Sequence, residues 1–212
     1  MIWKPIKTLP YVKSVVRKLD NLNERTDFVK SQLKKLPAGS LLLDAGCGSQ
    51  DFRKYCAHLQ YKAQDFGKYT INEKQVIGSD NSDYQYGHLD YVGNIWNIDE
   101  RDGTFDAILC TEVFEHIPYP IETLKEFSRL LKTNGILILT APSACLRHMD
   151  PYFFYSGFSD RWYEKFMNDF GFDIVSLEAV GDYYSWLGCE MVRTAKSHSF
   201  LSRVLLFPAF AY

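Results

Sequence analysis

Apolar residues along this chain fall into two kinds of stretch: short runs, and segments in which they recur every three or four positions. The runs that begin at Leu41 and at Tyr61 are short, and each ends in an acidic residue, so we predict two strands there. The run Phe172–Val180 predicts another strand. Strands and periodic segments therefore alternate through most of the chain.

The period of three to four residues predicts several helices, whose ends are marked by proline, serine or glycine. They are expected at Asn23–Leu36, at Asp51–Leu59, after Pro118 and Pro120, and after Ser159. The apolar residues expected to face inward on three of these helices are Phe28, Val29, Leu33 and Leu36; Leu124, Phe127 and Leu131; and Trp162, Tyr163, Phe166 and Phe170.

A glycine-rich turn, Gly46-Cys47-Gly48, follows the first predicted strand. Glycines between a strand and a helix bring bare backbone N–H groups close to a ligand. Asp44 stands at the end of the first strand, and Asp65 ends the second, 19 positions after Gly46. In a doubly wound fold this spacing places a carboxylate on ribose hydroxyls. The turn and the two acids predict a nucleoside pocket.

Three motifs in this order resemble the class I S-adenosylmethionine-dependent methyltransferases. They are the glycine turn after Asp44, the stretch Phe105–His116 and the stretch Leu130–Pro142; the last two are similar to the family's fourth and fifth strands. The stretch Asp90–Ile95 looks like its third. The resemblance implies an α/β fold of three layers, a doubly wound and mostly parallel sheet with helices on both faces.

Two departures from the family pattern stand out. Gln50 occupies the position of a glycine that is common in the first motif, and the family's seventh strand has no convincing counterpart in this sequence. The stretch from Gly46 to Arg53 resembles more narrowly a subgroup found among bacterial polysaccharide and lipid-glycan gene products.

The resemblance implies that S-adenosyl-L-methionine is the methyl donor and S-adenosyl-L-homocysteine the product. Asp44 is then expected at the amino-acid end of the cofactor, directly or through water, and Asp65 at the ribose. The remaining cofactor contacts are expected from Gly46, Cys47 and Gly48 at the methionine part, Asn94 and Ile95 at the adenine, and Thr111 and Glu112 beside the sulfonium. The alternative for Glu112 is a solvated acid at the end of a strand, without a role in cofactor binding.

Methyl transfer to a hydroxyl needs a group that removes the hydroxyl proton. One candidate is His116, which alternatively only braces the turn after the fourth strand. The other is His148, with Asp150 orienting it or holding a neighbouring hydroxyl. The loop that carries His148 lies after the fifth strand, where α/β folds bind substrate, although an aromatic cap fixed by a salt link is the alternative.

Composition narrows the class of protein. A formal net charge of −2 argues against nucleic acid as a partner. The five cysteines are scattered and odd in number, which favours reduced thiols in a cytoplasm over a disulfide framework or a zinc site. No metal site is predicted. Neither a membrane-spanning run nor the core of a signal peptide is found.

We divide the chain into an N-terminal basic amphipathic segment with a helical cap (1–36), a cofactor-binding methyltransferase domain (37–182) and an apolar, helical C-terminal tail (183–212). Met1–Leu19 is basic and Ser199–Tyr212 is apolar, so these ends predict peripheral contact with an anionic membrane at its inner face. Packing on the domain is the alternative.

These observations favour an O-methyltransferase that acts on a sugar hydroxyl of a glycan or glycolipid precursor. Methylation of another small molecule, of the quinone or polyketide type, is the alternative enzyme. A further alternative is a nucleotide-binding domain without catalytic activity, which would bind S-adenosyl-L-methionine and not consume it. An NAD-dependent oxidoreductase is another alternative, and it would bind NAD rather than S-adenosyl-L-methionine.

Overall fold

Five parallel strands form the centre of the molecule, which is described here from a computed structural model over residues 22–69 and 85–197. The strands are β1 (Leu41–Ala45), β2 (Gln60–Asp65), β3 (Tyr91–Val92), β4 (Phe105–Thr111) and β5 (Leu131–Thr140). Their order across the sheet is β3-β2-β1-β4-β5, and every neighbouring pair is parallel.

The order reverses between β1 and β4, which creates a crevice at the carboxyl ends of these two central strands. Leu42 and Leu43 of β1 are both fully buried, although adjacent side chains on a strand point to opposite faces. Both faces of the sheet are therefore covered, as is usual for parallel sheets.

Helices lie on either side of the sheet. They are α1 (Leu22–Leu33), α2 (Pro120–Leu130), α3 (Asp160–Asp169) and α4 (Tyr183–Ser197), with single 3-10 turns at Arg53–Tyr55 and Phe114–His116. Pro120 occupies the first turn of α2, where its missing N–H is not needed. Ser159 caps α3, because its Oγ accepts a hydrogen bond of 3.2 Å from the N–H of Trp162.

Two hydrophobic clusters, one on each face, hold these layers together. On one face Val29 and Leu33 of α1 pack against Leu42, Leu109 and Ile138 of the sheet. The other cluster joins the opposite sheet face to α2 and α3 through Leu43, Ile108, Phe114, Leu124, Phe127, Phe158 and Met167. The predicted three-layer, doubly wound α/β fold is confirmed.

Two predicted elements are wrong. The segment Phe172–Val180 is not a strand: it lies outside the sheet, and Val175 is 92% exposed. The predicted helix Asp51–Leu59 is only the 3-10 turn Arg53–Tyr55, because the chain must return at once to the start of β2. A backbone bond of 2.8 Å from the N–H of Gly39 to the carbonyl of His58 fixes that return.

Three smaller points complete the comparison with the predicted elements. Helix α1 ends three residues earlier than predicted, at Leu33. The segments Met1–Leu19 and Ser199–Tyr212, with the membrane contact predicted for them, lie outside the described residues. None of the helices in the described part of the chain has both the length and the apolar character needed to cross a bilayer.

Candidate functional site

The glycine turn stands where predicted, directly after β1. Gly46 has φ +74° and Gly48 has φ +49°, in the left-handed region that favours glycine. A Cβ added to Gly46 would lie only 2.5 Å from a methyl carbon of Val113, in the turn after β4. The turns after the two central strands are therefore in direct contact, and no larger residue fits at Gly46.

Gln64 of β2 holds this turn in place and is almost completely buried. Its carbonyl accepts the N–H groups of Gly46 (2.9 Å) and Cys47 (3.0 Å). Its side-chain oxygen also accepts from Gly46 at 3.1 Å, and its amide nitrogen donates to the carbonyl of Gly93 at 2.8 Å. One side chain thus connects the glycine turn to the loop after β3.

Asp65 is buried at the end of β2 and faces the glycine turn. One carboxylate oxygen accepts the N–H of Gly48 at 2.9 Å, and the other accepts the N–H of Gly67 at 3.0 Å. The carboxylate therefore lies beside the backbone of the turn, where a carboxylate that binds the ribose hydroxyls is expected. It also stabilises two loops.

Asp44 is also buried, and a 2.5 Å hydrogen bond from the hydroxyl of Tyr61 reaches one of its oxygens. Burial raises the pKa of Asp44 to about 7, and the nearby carboxylate of Asp65 adds to the rise, while the bond from Tyr61 opposes it. Burial therefore favours the protonated form of this carboxyl group well above the pH at which an exposed carboxyl group ionises. A cationic ligand such as an amino group would favour its ionised form.

Cys47, inside the turn, is not set up as a nucleophile. Burial raises the pKa of its thiol, and the carboxylates of Asp44 and Asp65 raise it further, so the thiolate is disfavoured. Cys110 is completely buried within β4, and burial raises its pKa well above the usual value. Both thiols therefore act as packing groups.

Glu112 follows β4 with φ +54°, an uncommon conformation for a residue with a side chain. Its carboxylate accepts a hydrogen bond from Arg25 of α1 at 2.7 Å and one from the hydroxyl of Thr140 at 3.0 Å. Glu112 thus joins α1 to the carboxyl ends of β4 and β5. Thr111, its neighbour, is half-buried and pairs with Thr140 across the two strands.

The two residues expected at the adenine have different surroundings. Asn94 is exposed in the loop after β3, so its amide faces outward. Ile95 is buried in the hydrophobic cluster on the α2 and α3 face. Only Asn94 of this pair presents a polar group at the surface of the loop.

Gln50 occupies the position of the missing glycine and still adopts the left-handed conformation, with φ +58°. Its side chain explains how the strain is tolerated, because its amide nitrogen donates to the carbonyl of His88 at 2.8 Å and its oxygen accepts from Arg53 at 2.8 Å. The backbone shape that glycine supplies in the family pattern is therefore kept, and the turn gains a tether to the segment before β3.

His116 and His148, which the sequence offers as alternatives, lie together. Their rings meet edge to face with centroids 4.8 Å apart. His116 Nδ1 is 2.6 Å from the carbonyl of Tyr152, and His116 Nε2 is 3.5 Å from a carboxylate oxygen of Glu115, which is buried. Asp150, which is expected to orient His148 or to hold a neighbouring hydroxyl, accepts from Arg147 with both carboxylate oxygens, at 2.8 and 3.0 Å.

Tyr152 connects the histidine pair to the cofactor side of the crevice. Its carbonyl contacts His116, and its ring meets that of Phe66 edge to face at 5.0 Å. Phe66 directly follows Asp65. The loop after β5 therefore reaches across the carboxyl edge of the sheet to the end of β2.

Sequence reasoning missed four residues of this region: Arg25, Tyr61, Gln64 and Glu115. A signal existed for Gln64, because a polar residue beside Asp65 near the end of a central strand needs a buried partner. The contact between Tyr61 and Asp44 depends on the strand register, in which Tyr61 lies beside Leu42. Nothing in the sequence gives that register.

Comparison with known proteins agrees with this geometry. The family model described as "Methyltransferase domain" matches residues 17–177. The chain is 31% identical over 121 residues to a ubiquinone biosynthesis O-methyltransferase of Xanthomonas oryzae pv. oryzae; the match covers 55% of this chain and 48% of that enzyme. The chain thus spans about half the length of such relatives.

Among solved structures, the YcgJ protein of Bacillus subtilis is similar with a TM-score of 0.55 and 18% identity, covering 86% of this chain and 88% of that one. A phosphoethanolamine N-methyltransferase of Haemonchus contortus, in complex with S-adenosyl-L-methionine, gives a TM-score of 0.56 at 16% identity, covering 86% of this chain and 44% of that one. These two likenesses concern the fold. The chain belongs to the methyltransferase-domain family, and the resemblance to class I S-adenosylmethionine-dependent methyltransferases drawn from its three motifs is confirmed.

Proposed function

We propose that this protein is an S-adenosyl-L-methionine-dependent O-methyltransferase that acts on a hydroxyl group of a small molecule. The observation that carries the proposal is the arrangement of the carboxyl edge of the sheet. The glycine turn and Asp65 stand on one side of this edge and the histidine pair stands on the other, and Tyr152 contacts both His116 and Phe66, the residue after Asp65.

The residues of the crevice fit the cofactor. Gly46 has no room for a side chain, so no side chain covers the turn at that position, and Asp65 offers carboxylate oxygens beside Gly48. Asp65 would hold the ribose hydroxyls, and Asp44 would take the amino group of the methionine part, whose positive charge would offset the burial that disfavours the ionised carboxyl group in the free protein. Asn94 would contact the adenine, and Thr111 with Glu112 would line the crevice beside the methyl group. When bound, the cofactor supplies an activated methyl group on a sulfonium leaving group.

The histidine pair would serve the acceptor hydroxyl. A hydroxyl is a poor nucleophile until its proton leaves, and a positioned base typically contributes 10²- to 10⁴-fold to the rate. His148 is half-buried and His116 is more deeply set, so His148 is the group that an incoming acceptor reaches first. Its contact with the His116 ring would hold it in place.

For the acceptor we favour a hydroxyl on an aromatic ring of the quinone-precursor type. The support is the name of the Xanthomonas relative, a ubiquinone biosynthesis O-methyltransferase. A sugar hydroxyl of a glycan or glycolipid precursor is the second candidate, because Phe66, Tyr152 and Phe153 line the region with rings on which a sugar face can stack.

The test is a turnover assay with S-adenosyl-L-methionine, one panel of phenols and diphenols, and one panel of sugar glycosides. Release of S-adenosyl-L-homocysteine is followed for the wild type and for His148→Ala, with His88→Ala as the control for an exposed histidine outside the pair. We expect a lower rate by roughly 10²-fold or more for His148→Ala and no change for His88→Ala. Cofactor binding without turnover on either panel would contradict the proposal.

A further inference from the structure

Gln50 stands where glycine is common in the family pattern, and its side chain holds a segment that lies beside the cofactor crevice. We propose that Gln50 is a positioning residue for the cofactor: it fixes residues 85–90, the pre-β3 segment, as a wall of the crevice next to the ribose site. The free protein is thereby prepared for S-adenosyl-L-methionine, and S-adenosyl-L-homocysteine leaves more slowly. The inference rests on the proposed function through the assignment of Asp65 to the ribose, and it is independent of the acceptor.

The side-chain amide of Gln50 is bound through both its nitrogen and its oxygen. Nε2 donates to the carbonyl of His88 at 2.8 Å, and Oε1 accepts from Nη1 of Arg53, also at 2.8 Å. A carbonyl can only accept and a guanidinium can only donate, so this orientation of the amide is the one that makes both bonds. Because Gln50 is buried, water does not readily replace these bonds when they break.

Gly87 lets the pre-β3 segment approach this amide closely. A Cβ added to Gly87 would lie 2.9 Å from Nε2 of Gln50 and 3.2 Å from its Cδ, and the three nearest atoms all belong to Gln50. The backbone of Gly87 is not in the left-handed region. Space, and not backbone conformation, therefore requires a small residue at position 87, and the side chain of Gln50 fills that space.

The pre-β3 segment also packs on the loop that begins at Asp65. A Cβ added to Gly67 would lie 3.5 Å from a methyl carbon of Leu89, which is ordinary contact distance. The N–H of Tyr69 donates to the hydroxyl of Tyr86 at 3.3 Å. The N–H of Gly67 is itself bound by the carboxylate of Asp65. The segment is thus held by the glycine turn on one side and by the loop after β2 on the other, beside the carboxylate expected to bind the ribose.

Arg53 extends this contact toward the other end of the cofactor. Its guanidinium lies over the ring of Tyr61, 5.4 Å from the ring centroid, and the hydroxyl of Tyr61 donates to Asp44. Asp44 is expected at the amino group of the methionine part, whereas Asp65 is expected at the ribose. Gln50 and Arg53 therefore connect the surroundings of the two acids that bind opposite ends of the cofactor.

The backbone conformation at position 50 suits glycine better than glutamine. Its φ of +58° lies in the left-handed region, which is strained for a residue with a Cβ. The substitution Gln50→Gly would relieve this strain and lose only the side-chain bonds. The fold is therefore expected to tolerate Gln50→Gly, while the pre-β3 segment loses its attachment to the glycine turn.

The expected effect on binding follows from preorganisation. A wall that is already in place does not have to be ordered when the ligand binds, and apparent affinity falls in proportion to the fraction of molecules in the binding-competent form. A neutral hydrogen bond corresponds to roughly 2- to 12-fold in an equilibrium constant. Loss of the bond to His88 should therefore weaken cofactor binding by up to about 10-fold, mainly through faster dissociation.

The experiment measures the affinity for S-adenosyl-L-homocysteine by calorimetry and its dissociation rate by stopped-flow displacement. Gln50→Ala and Gln50→Gly should each weaken binding by roughly 3- to 10-fold and speed dissociation by a similar factor. Gln60→Ala is the matched control, because Gln60 Nε2 also donates to a backbone carbonyl at 2.8 Å, that of Gly39, at the amino ends of β1 and β2. The control should bind the product as the wild type does.

A second measurement tests the contact between Gln50 and Gly87. The change Gly87→Ala places a methyl group against the Gln50 amide, so it should weaken product binding in the wild type. In the Gln50→Gly protein there is no amide to displace, and the same change should have little further effect. A general loss of stability would not depend on the side chain at position 50.

The inference is overturned if both Gln50 variants bind the product as the wild type does, or if Gln60→Ala weakens binding equally. It is also overturned if Gly87→Ala has the same effect with and without the Gln50 side chain. A wild type that binds no S-adenosyl-L-homocysteine would overturn the proposed function as well, whereas equal binding by the wild type and the Gln50 variants overturns this inference alone.

Discussion

The carboxylate of Asp65 gives the sharpest test of the cofactor site. The substitution Asp65→Asn keeps the size of the side chain, removes its charge and replaces one acceptor oxygen by an NH₂ donor. An alanine would be less informative, because both oxygens also accept backbone N–H groups, from Gly48 and Gly67, and their loss would disturb the turn itself. The asparagine oxygen can keep the bond from Gly48.

The size of the effect follows from the hydrogen bonds involved. A bond to an ionised group contributes about 1.5–3 kcal/mol, whereas a neutral one contributes about 0.5–1.5 kcal/mol. Two ribose hydroxyls donating to Asp65 would lose one acceptor, at about 1.5–3 kcal/mol, and weaken at the other by about 1–1.5 kcal/mol, a total of about 2.5–4.5 kcal/mol. At 1.4 kcal/mol per tenfold change, this corresponds to an affinity lower by roughly 60- to 1,600-fold.

Calorimetric titration with S-adenosyl-L-homocysteine measures this loss directly, and Asp90→Asn is the matched control. Asp90 also accepts a backbone N–H, that of Ala63 at 2.9 Å, but it precedes β3 and its second bond is an ion pair with Lys62 at 2.8 Å rather than a bond from the glycine turn. The control should lose stability and keep its affinity. If Asp65→Asn melts like the control and binds the cofactor product as the wild type does, Asp65 does not hold the ribose.

Three further outcomes are expected. Because the pKa of Asp44 is raised to about 7 in the folded protein, its contribution to the free energy of unfolding is greatest at acid pH and is lost as the pH rises through 7. Asp44→Asn should therefore gain stability relative to the wild type between pH 5 and pH 8, by a few kcal/mol in chemical denaturation; an unchanged difference would contradict this. Gln64→Leu leaves the buried Gly93 carbonyl without its amide donor, and should cost about 1–3 kcal/mol in the same assay and also weaken cofactor binding. Arg25→Ala should increase proteolysis of α1 and leave melting of the sheet nearly unchanged, because it removes the ion pair with Glu112; equal proteolysis rates would argue against that role.

The elements that the sequence predicts well are those with a local cause. The run at β1 is recognisable because a strand between two helical layers must be apolar, and the glycine turn is recognisable because Gly46 has no space for a side chain. The helix after Ser159 carries its own cap. Each of these features can be deduced from a few adjacent residues.

The features that could not be predicted from the sequence depend on contacts between distant segments. Phe172–Val180 has the composition of a strand, but a strand exists only beside a partner, and this segment lies outside the sheet. The contact of His116 with His148 requires the loop after β5 to fold back on the turn after β4. Two histidines that were predicted as alternative bases therefore lie together. The ion pair between Arg147 and Asp150 is of the kind expected from the alternative for this loop, an aromatic cap fixed by a salt link.

The position of Tyr152 implies that the two substrates influence each other's affinity. This residue supports His116 through its carbonyl and touches Phe66, the neighbour of Asp65, through its ring. If the bound cofactor orders this loop, it also prepares the acceptor side, and thermodynamic reciprocity then requires the acceptor to tighten cofactor binding by the same factor. Such an enzyme would hold its methyl donor more tightly in the presence of the acceptor, and would exchange the donor's product slowly while a methyl acceptor is still in place.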